Sequence, residues 1–279
     1  MALLAVGVGA AVAGQQLPTL NWVLLGLIGV AALAGHMAVN LINEYQDFHS
    51  GLDAITHRTP FSGGSGALPE NPKAAATVGA LAILSLALCI AIGGYFVWRA
   101  GWPLATLGAV GIALILTYTR WITRSPWLCL LAPGIGFGVV ILLGTVIALG
   151  AQPSGESALL SLVATLLVSE LLLVNQLPDT EADRRIGRNH WAIHYGQSSA
   201  VSLIRVLLGL SYLILFAGVA TGVLGTAYLL ALAPLPLAAW VAAHAGRASG
   251  TNRERIPVLR ANTLLVLVTL FLLMLAARL

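Results

Sequence analysis

Nine long apolar stretches, separated by polar connections, run along the chain. They lie at about 2–14, 20–43, 74–98, 103–121, 127–150, 157–177, 198–222, 224–244 and 257–277. A hydrocarbon core of about 30 Å is crossed by roughly 20 helical residues, so every stretch except the first is long enough to span a membrane. The pattern therefore predicts an all-α membrane protein with nine transmembrane helices, folded as a single domain over residues 1–279.

The composition agrees with this prediction. Hydrophobic residues make up 58% of the chain and charged residues only 9%, whereas roughly 25% of the residues of an ordinary soluble domain are charged. This balance excludes a soluble enzyme, a disordered tail and a disulfide scaffold. The two cysteines, Cys89 and Cys129, lie in apolar stretches, and we interpret both as small buried residues.

Two polar segments, 44–73 and 178–197, are longer than the other connections. If the nine helices alternate in direction, both segments lie on the side that carries 11 of the 14 basic residues: Arg58, Lys73, Arg120, Arg124, Arg184, Arg185, Arg188, Arg247, Arg253, Arg255 and Arg260. By the positive-inside rule, this side is cytoplasmic. We therefore expect one site that opens to the cytoplasm. Because 13 of the 14 basic residues are Arg, we expect a bacterial host with a GC-rich genome, and hence a protein of the bacterial inner membrane.

Acidic residues cluster where these two segments begin. Six of the ten in the chain lie there: Glu44, Asp47, Asp53, Asp179, Glu181 and Asp183. Residues three or four apart share a helical face, which predicts two polar stripes. The first consists of His36, Asn40, Asn43 or Glu44, and Asp47, and the second of Asn175, Asp179 and Asp183. Glu181 lies off the second stripe and is interpreted as solvated.

Several carboxylates brought together repel one another unless a cation or a proton neutralises them. Oxygen ligands of this kind suit Mg²⁺, which usually bridges a few carboxylates to substrate phosphates. Four basic residues beside the clusters are suited to hold those phosphates directly: Arg58, Lys73, Arg184 and Arg188. The combination favours departure of a diphosphate from an apolar substrate that the membrane solvates. No motif for binding nucleic acid is visible.

Two segments resemble the aspartate-rich motifs of the UbiA superfamily of intramembrane prenyltransferases. NLINEYQDFHSGLD, from Asn40 to Asp53, is similar to the first motif, and NQLPDTEADRRIGR, from Asn175 to Arg188, is similar to the second. Tyr118, with the threonine that follows it, resembles a further signature. The spacing within both motifs is similar to that of the menaquinone-type branch, the 1,4-dihydroxy-2-naphthoate prenyltransferases.

The resemblance implies a UbiA-like helical bundle that transfers a prenyl group from a polyprenyl diphosphate to an aromatic quinone precursor, with Mg²⁺ as cofactor. Carried over residue by residue, it gives three sets of site residues. The metal ligands are Asn43, Glu44, Asp47, Asp53, Asp179 and Asp183. The substrate-binding residues are Asn40, Asn43, Arg58, Lys73, Asn175, Arg184 and Arg188. The catalytic residues are Asp47, Asp179 and Tyr118.

Alternatives remain open at this point. Glu44 stands where the family motif usually has Asp, and the fifth apolar stretch lacks the acid of the menaquinone branch. A terpene cyclase of the same fold, or a prenyltransferase with a non-aromatic acceptor, therefore stays in consideration. A secondary transporter is a distant alternative. Transporters place their acids near the bilayer midplane, whereas the acids of this chain lie at the ends of the predicted spans. Glu170 is interpreted either as an acceptor-orienting group or base, or as a residue that pairs with a polar neighbour. His36 is interpreted as a packing histidine, with a base on the first stripe as the less favoured alternative.

Overall fold

The computed structural model of the protein describes residues 1–56, 58–59 and 62–279. Every regular element within these ranges is a helix, which confirms the all-α prediction. Nine long helices account for most of the chain: α1 (Ala2–Gln16), α2 (Trp22–Ser50), α3 (Pro72–Ala100), α4 (Trp102–Thr117), α5 (Pro126–Ala148), α6 (Gly155–Gln176), α7 (Gln197–Ala220), α8 (Thr226–Ser249) and α9 (Asn252–Ala276).

Within the described ranges, seven of these helices are long and apolar enough to cross a membrane. The other two, α1 and α4, are apolar but have only 15 and 16 residues, below the roughly 20 that a perpendicular span requires. Multiple crossings are therefore established by length and composition, whereas the number nine stays a prediction.

Helix α2 carries the first acidic motif and is longer than the hydrocarbon core. Its 29 residues correspond to about 43 Å at 1.5 Å per residue. The side chain of Asn21 caps its start by accepting hydrogen bonds from the backbone N–H groups of Val23 and Leu24. Gly51 ends it in the left-handed conformation, with φ 79°, where glycine avoids the steric cost of a side chain. The extra length holds the acidic stripe near the membrane surface.

Helix α6 carries the second motif and is the most deeply buried of the candidate spans. It packs against α5, α7 and α9. Gly134 and Gly138 of α5 lie so close to α6 that a Cβ atom at either position would clash with it. The hydroxyl of Thr165 in α6 donates a hydrogen bond to the carbonyl of Gly134 at 3.2 Å. The hydroxyl of Ser161 donates one to the carbonyl of Gly138 at 2.7 Å. Small residues of this kind let membrane helices approach closely.

Helix α5 is not α-helical throughout. Its middle, Ile135–Leu143, is a π-helix that begins two residues after Pro133. A proline inside a helix removes one backbone hydrogen bond and disturbs the turn before it. Such π-helical turns frequently occur at functional sites.

The two polar segments meet at one end of the bundle. The first contains the short helices Leu52–Ile55 and Ala67–Glu70, and the second contains Thr180–Arg185 and Trp191–His194. Side chains of the two segments contact each other directly, as described below. This confirms that both lie on the same side of the bundle, as the alternation of apolar and polar stretches predicts.

Candidate active site

A cavity of about 1090 Å³ runs through the bundle between α2, α3, α4, α5 and α6. Along α2 its lining extends from Asp47 to Ile28, 19 residues apart, which corresponds to about 28 Å along the helix axis. The inner part is almost entirely apolar, with residues such as Phe96, Val97, Leu104 and Val140. Its dimensions fit a long hydrocarbon chain that enters from the polar end.

Most of the predicted site residues line the polar mouth of this cavity. They are Asn40, Asn43, Glu44, Asp47, Asp53, Tyr118, Asn175, Asp179, Asp183 and Arg188. Three predicted cations do not line it. Lys73 and Arg184 are exposed at the surface, and Arg58 pairs with Glu70 at 3.5 Å. The acids of the two motifs thus come together, whereas only one of the four predicted phosphate-binding cations reaches the cavity wall.

Arg188 joins the two acidic motifs. Its guanidinium lies 2.5 Å from an oxygen of Asp47 and 2.8 Å from an oxygen of Asp183, and its side chain is only 14% exposed. Burial by itself lowers the pKa of Arg188, but the charges of Asp183 and Asp47 outweigh burial and raise that pKa above its ordinary value. A cation from the chain itself therefore neutralises part of the acidic cluster.

His190 is a buried site residue that the sequence analysis did not select. Its Nε2 atom lies 3.2 Å from the second oxygen of Asp183, so Arg188 and His190 approach different oxygens of the same carboxylate. The backbone N–H of the preceding residue, Asn189, donates to the carbonyl of Thr123 at 2.9 Å and fixes this turn against the loop after α4. The only sequence signal was the number of histidines and aromatic residues that follow the second motif.

The glycine-rich segment Ser62–Gly66 lies over the mouth. Ser65 donates a hydrogen bond to Glu44 at 2.5 Å, and the backbone of Gly63 donates one to Asp179. A Cβ atom on Gly64 would lie 2.9 Å from an oxygen of Asp53. Gly63 and Gly64 also have positive φ angles, of 87° and 74°, which disfavour any other residue. The segment therefore contacts both motifs, and glycine is required where it approaches the acids.

Several oxygens at the mouth carry no hydrogen bond. Within the described part of the chain, one oxygen each of Asp53, Asn175 and Asp179 is buried without a partner. Burial, followed by the charges of Asp47 and Glu44, raises the pKa of Asp53 to about 6. Burial, followed by the charge of Asp183, raises the pKa of Asp179 to about 7. Buried acceptors without partners call for an additional donor or cation.

The donor set fits a hard divalent cation in chemical kind, because it consists of carboxylate and amide oxygens. In the described residues, however, no three His, Cys, Asp or Glu side chains are arranged to hold a metal ion together. Arg188 is the physical reason, since it pairs with Asp47 and Asp183, two of the six predicted ligands.

Tyr118 and Thr119 at the end of α4 reach the same mouth. The hydroxyl of Thr119 donates to the side-chain oxygen of Asn43 at 3.0 Å. Tyr118 lines the cavity and is hydrogen-bonded to Cys129, whose sulfur also accepts a hydrogen bond from Gln176 at 3.1 Å. Thr119 therefore connects the end of α4 to α2, and Tyr118 connects it to Cys129 of α5, which in turn contacts α6.

Comparison with known sequences identifies the family. The sequence profile of the UbiA prenyltransferase family matches residues 2–264. The chain belongs to the UbiA prenyltransferase family. This membership and the seven long apolar helices make it a multi-pass integral membrane protein.

A curated relative belongs to the predicted branch. The 1,4-dihydroxy-2-naphthoate octaprenyltransferase of Bacillus subtilis (strain 168) is 32% identical over 189 residues. The match covers 67% of this chain and 59% of the relative, so the chain spans about three fifths of the length of the curated protein. The predicted similarity to the menaquinone branch is confirmed.

Solved structures share the fold. A UbiA homolog from Aeropyrum pernix K1 superimposes with a TM-score of 0.72 over 96% of this chain and 94% of its own, at 19% identity. A UbiA homolog from Archaeoglobus fulgidus bound to GPP and Mg²⁺ gives 0.64 over 100% and 96%, at 13% identity. A digeranylgeranylglyceryl phosphate synthase gives 0.65 over 99% and 93%, at 16% identity. At these identities the comparison establishes the fold alone.

Proposed function

We propose that this UbiA-family protein transfers a prenyl group from a prenyl diphosphate to an aromatic quinone precursor within the membrane. One observation carries the proposal: the acids of two motifs meet at the polar mouth of a cavity whose long inner part is apolar. A prenyl diphosphate has the matching shape, with a charged head and a hydrocarbon tail. The curated naphthoate relative supports an aromatic acceptor.

The residues proposed to hold Mg²⁺ are Asn43, Glu44, Asp47, Asp53, Asp179 and Asp183. The unpartnered oxygens of Asp53 and Asp179 support this assignment. The bound cation would neutralise the negative charge that develops on the departing diphosphate. In the structure, Arg188 pairs with Asp47 and Asp183. Those two carboxylates would become metal ligands once the guanidinium of Arg188 pairs with another anion instead.

The diphosphate is that anion. Arg188 has several N–H donors in a planar fork that matches phosphate oxygens, and its contacts place it at the centre of the mouth. The amides of Asn40 and Asn175 and the hydroxyl of Tyr118 supply further hydrogen bonds. Arg58, Lys73 and Arg184 lie outside the cavity wall, and we assign them the weaker role of attracting the diphosphate through their charge.

Exclusion of water follows from the same geometry. Loss of the diphosphate leaves an allylic carbocation, which water would quench before an acceptor attacks it. The segment Ser62–Gly66 contacts the acids from above, and the apolar wall surrounds the inner part of the cavity. Together they keep bulk water away from the reacting carbon.

Metal dependence is the first expected result. Release of diphosphate from a prenyl diphosphate by the purified protein, in the presence of the aromatic acceptor, should stop in excess EDTA and return when Mg²⁺ is added in excess of the chelator. The reason is that repelling carboxylates at the mouth bind the diphosphate only through a cation. The released diphosphate is measured by phosphate analysis. Full turnover in excess chelator would contradict the proposed mechanism.

The proposed orientation places the mouth at the cytoplasmic face of a bacterial inner membrane. In a variant without Cys89 and Cys129, a cysteine at the exposed position Glu181 should react with a membrane-impermeant maleimide only after the cells are opened. A cysteine at Gln152, in the connection between α5 and α6, should react in intact spheroplasts. Labelling with the reverse pattern would overturn the orientation.

A further inference from the structure

His36 is the innermost polar side chain of α2 that lines the cavity. It lies seven residues before Asn43, or about 10 Å along the helix axis from the acidic mouth. Beyond it towards Ile28, the α2 positions on the cavity wall are Gly or aliphatic residues. A hydrogen-bonding group therefore stands at the boundary between the polar mouth and the apolar chamber.

An aromatic ring faces His36 from the opposite wall. Phe137 of α5 meets the imidazole edge to face, with ring centroids 5.3 Å apart and an interplanar angle of 70°. Phe137 belongs to the π-helical stretch Ile135–Leu143, and it also lines the cavity. The irregular helix thus places an aromatic side chain beside the only histidine that α2 contributes to the wall.

Open space adjoins this pair. Gly136, next to Phe137, lines the cavity, and a Cβ atom placed on it would meet nothing within 4 Å. This open space is therefore bordered by the imidazole of His36, the ring of Phe137 and the backbone of Gly136. Aromatic rings prefer edge-to-face and offset contacts of this kind with other rings.

The imidazole nitrogens remain available to a ligand. The side-chain amide of Asn40 donates its good hydrogen bond, at 2.7 Å, to the backbone carbonyl of His36. The same amide nitrogen lies 3.4 and 3.5 Å from the two ring nitrogens, which is long for a hydrogen bond and favours neither. One ring nitrogen of a neutral imidazole accepts a hydrogen bond, and a phenolic hydroxyl donates one.

We propose that His36, Phe137 and Gly136 form the subsite for the aromatic acceptor, and that His36 accepts a hydrogen bond from its ring hydroxyl. This assignment rests on the proposed transfer function and makes it more specific. A hydroxylated bicyclic or monocyclic ring in this space lies on the inner, apolar side of the diphosphate. The first carbon of the donor must point to the same side, because the hydrocarbon tail occupies the apolar part of the cavity. Aliphatic acceptors gain neither the ring contact nor the phenolic hydrogen bond.

The test is equilibrium binding of 1-hydroxy-2-naphthoate, a stable fluorescent probe, to the purified protein in detergent. His36→Phe keeps an aromatic side chain but removes the acceptor nitrogen, and it should raise the Kd of the probe about tenfold. Phe137→Leu removes the ring contact and should raise the Kd several-fold. In both variants the Kd of geranyl diphosphate with Mg²⁺ should change less than twofold, which also shows that they fold.

His244→Phe is the matched control. His244 is likewise a half-buried histidine that packs on an aromatic ring, that of Trp240 with centroids 4.4 Å apart, but it does not line the cavity. This variant should bind the probe like the wild type. His36→Gln, which restores a hydrogen-bonding side chain, should recover part of the loss seen in His36→Phe.

Two results would overturn the subsite: no binding of the probe to the wild type, or binding that neither His36→Phe nor Phe137→Leu weakens. The outcome is separable from that of the transfer reaction. Weakened binding in both variants together with no prenylated product in the wild type would support the subsite and overturn the transfer. Product formation by the wild type together with probe binding that neither variant weakens would support the transfer and overturn the subsite.

Discussion

Asp47→Asn and Asp179→Asn are each expected to lower kcat at least about 100-fold while leaving the protein folded in the membrane. Both side chains line the cavity mouth, and each belongs to a different motif. The exchange preserves shape but removes one negative charge from a cluster of repelling carboxylates. Thermal stability without Mg²⁺ should therefore stay level or rise in Asp179→Asn, whereas in Asp47→Asn the loss of the buried ion pair with Arg188 should lower it. The stabilisation by Mg²⁺ and diphosphate should shrink, because a ligand at a given concentration stabilises the folded protein less when its Kd is higher.

Glu181→Gln is the control for these two variants. Glu181 lies on the short helix Thr180–Arg185, which begins directly after Asp179. Its side chain is 73% exposed and pairs with Arg185 at the surface. Removing the same charge two residues from Asp179 should leave most of the activity. Initial rates and thermal shifts of the three variants decide the matter. An inactive Glu181→Gln together with an active Asp179→Asn would show that the site residues are wrongly assigned.

Arg188→Gln should affect both turnover and the response to metal. Without the guanidinium, Asp47 loses its charged partner and Asp183 keeps one of its two basic neighbours, His190, in a buried site. The free energy of unfolding without Mg²⁺ should therefore fall by about 3–5 kcal/mol. Mg²⁺ alone should stabilise this variant more than it stabilises the wild type, because Arg188 no longer competes for the two carboxylates. Turnover should fall about 100-fold, since a charged donor to the diphosphate is lost.

Arg185→Gln is the control for Arg188→Gln, because it removes the same charge three residues earlier in the chain. The side chain of Arg185 is exposed to solvent, and among the described residues it pairs only with Glu181. This variant should leave the stability, the Mg²⁺ response and the rate close to those of the wild type. Thermal unfolding at a series of Mg²⁺ concentrations measures the difference. If Mg²⁺ stabilises Arg188→Gln no more than the wild type, Arg188 does not compete with the cation.

The fold was predictable because burial in lipid imposes a simple rule on composition. Long apolar stretches must be helical, and the positions of the polar segments between them determine which ends meet. Residues four apart on α6, such as Asn175 and Asp179, could be assigned to one face by helical periodicity alone. Their convergence with the acids of α2 followed from the alternation of apolar and polar stretches, without knowledge of distances.

Contacts made by loops were not predictable in this way. The sequence placed Lys73, Arg184 and Arg188 on equal terms beside the acids, but only Arg188 follows a left-handed turn at Gly187 that brings it to the cavity wall. Neither periodicity nor charge distinguishes these cations. His190 was missed for the same reason, because its contact with Asp183 depends on the path of the chain after the helix.

The interior of α5 illustrates a second limit. The apolar stretch 127–150 predicted an ordinary span, whereas the structure has a π-helix over Ile135–Leu143. A change from i−4 to i−5 hydrogen bonding leaves no mark in an apolar pattern. It nevertheless decides where the side chain of Phe137 lies. The length of α4 is a third case, since the predicted stretch 103–121 continues beyond the end of the helix at Thr117.

The most direct test of the central claim is product analysis. Purified protein is incubated with Mg²⁺, a prenyl diphosphate and 1,4-dihydroxy-2-naphthoate, and the extract is examined by mass spectrometry against reactions that lack the acceptor or contain Asp179→Asn. The account predicts a product with the mass of the prenylated ring only in the complete wild-type reaction. Consumption of the diphosphate at the same rate without any acceptor, with a hydrocarbon or alcohol as product, would contradict it.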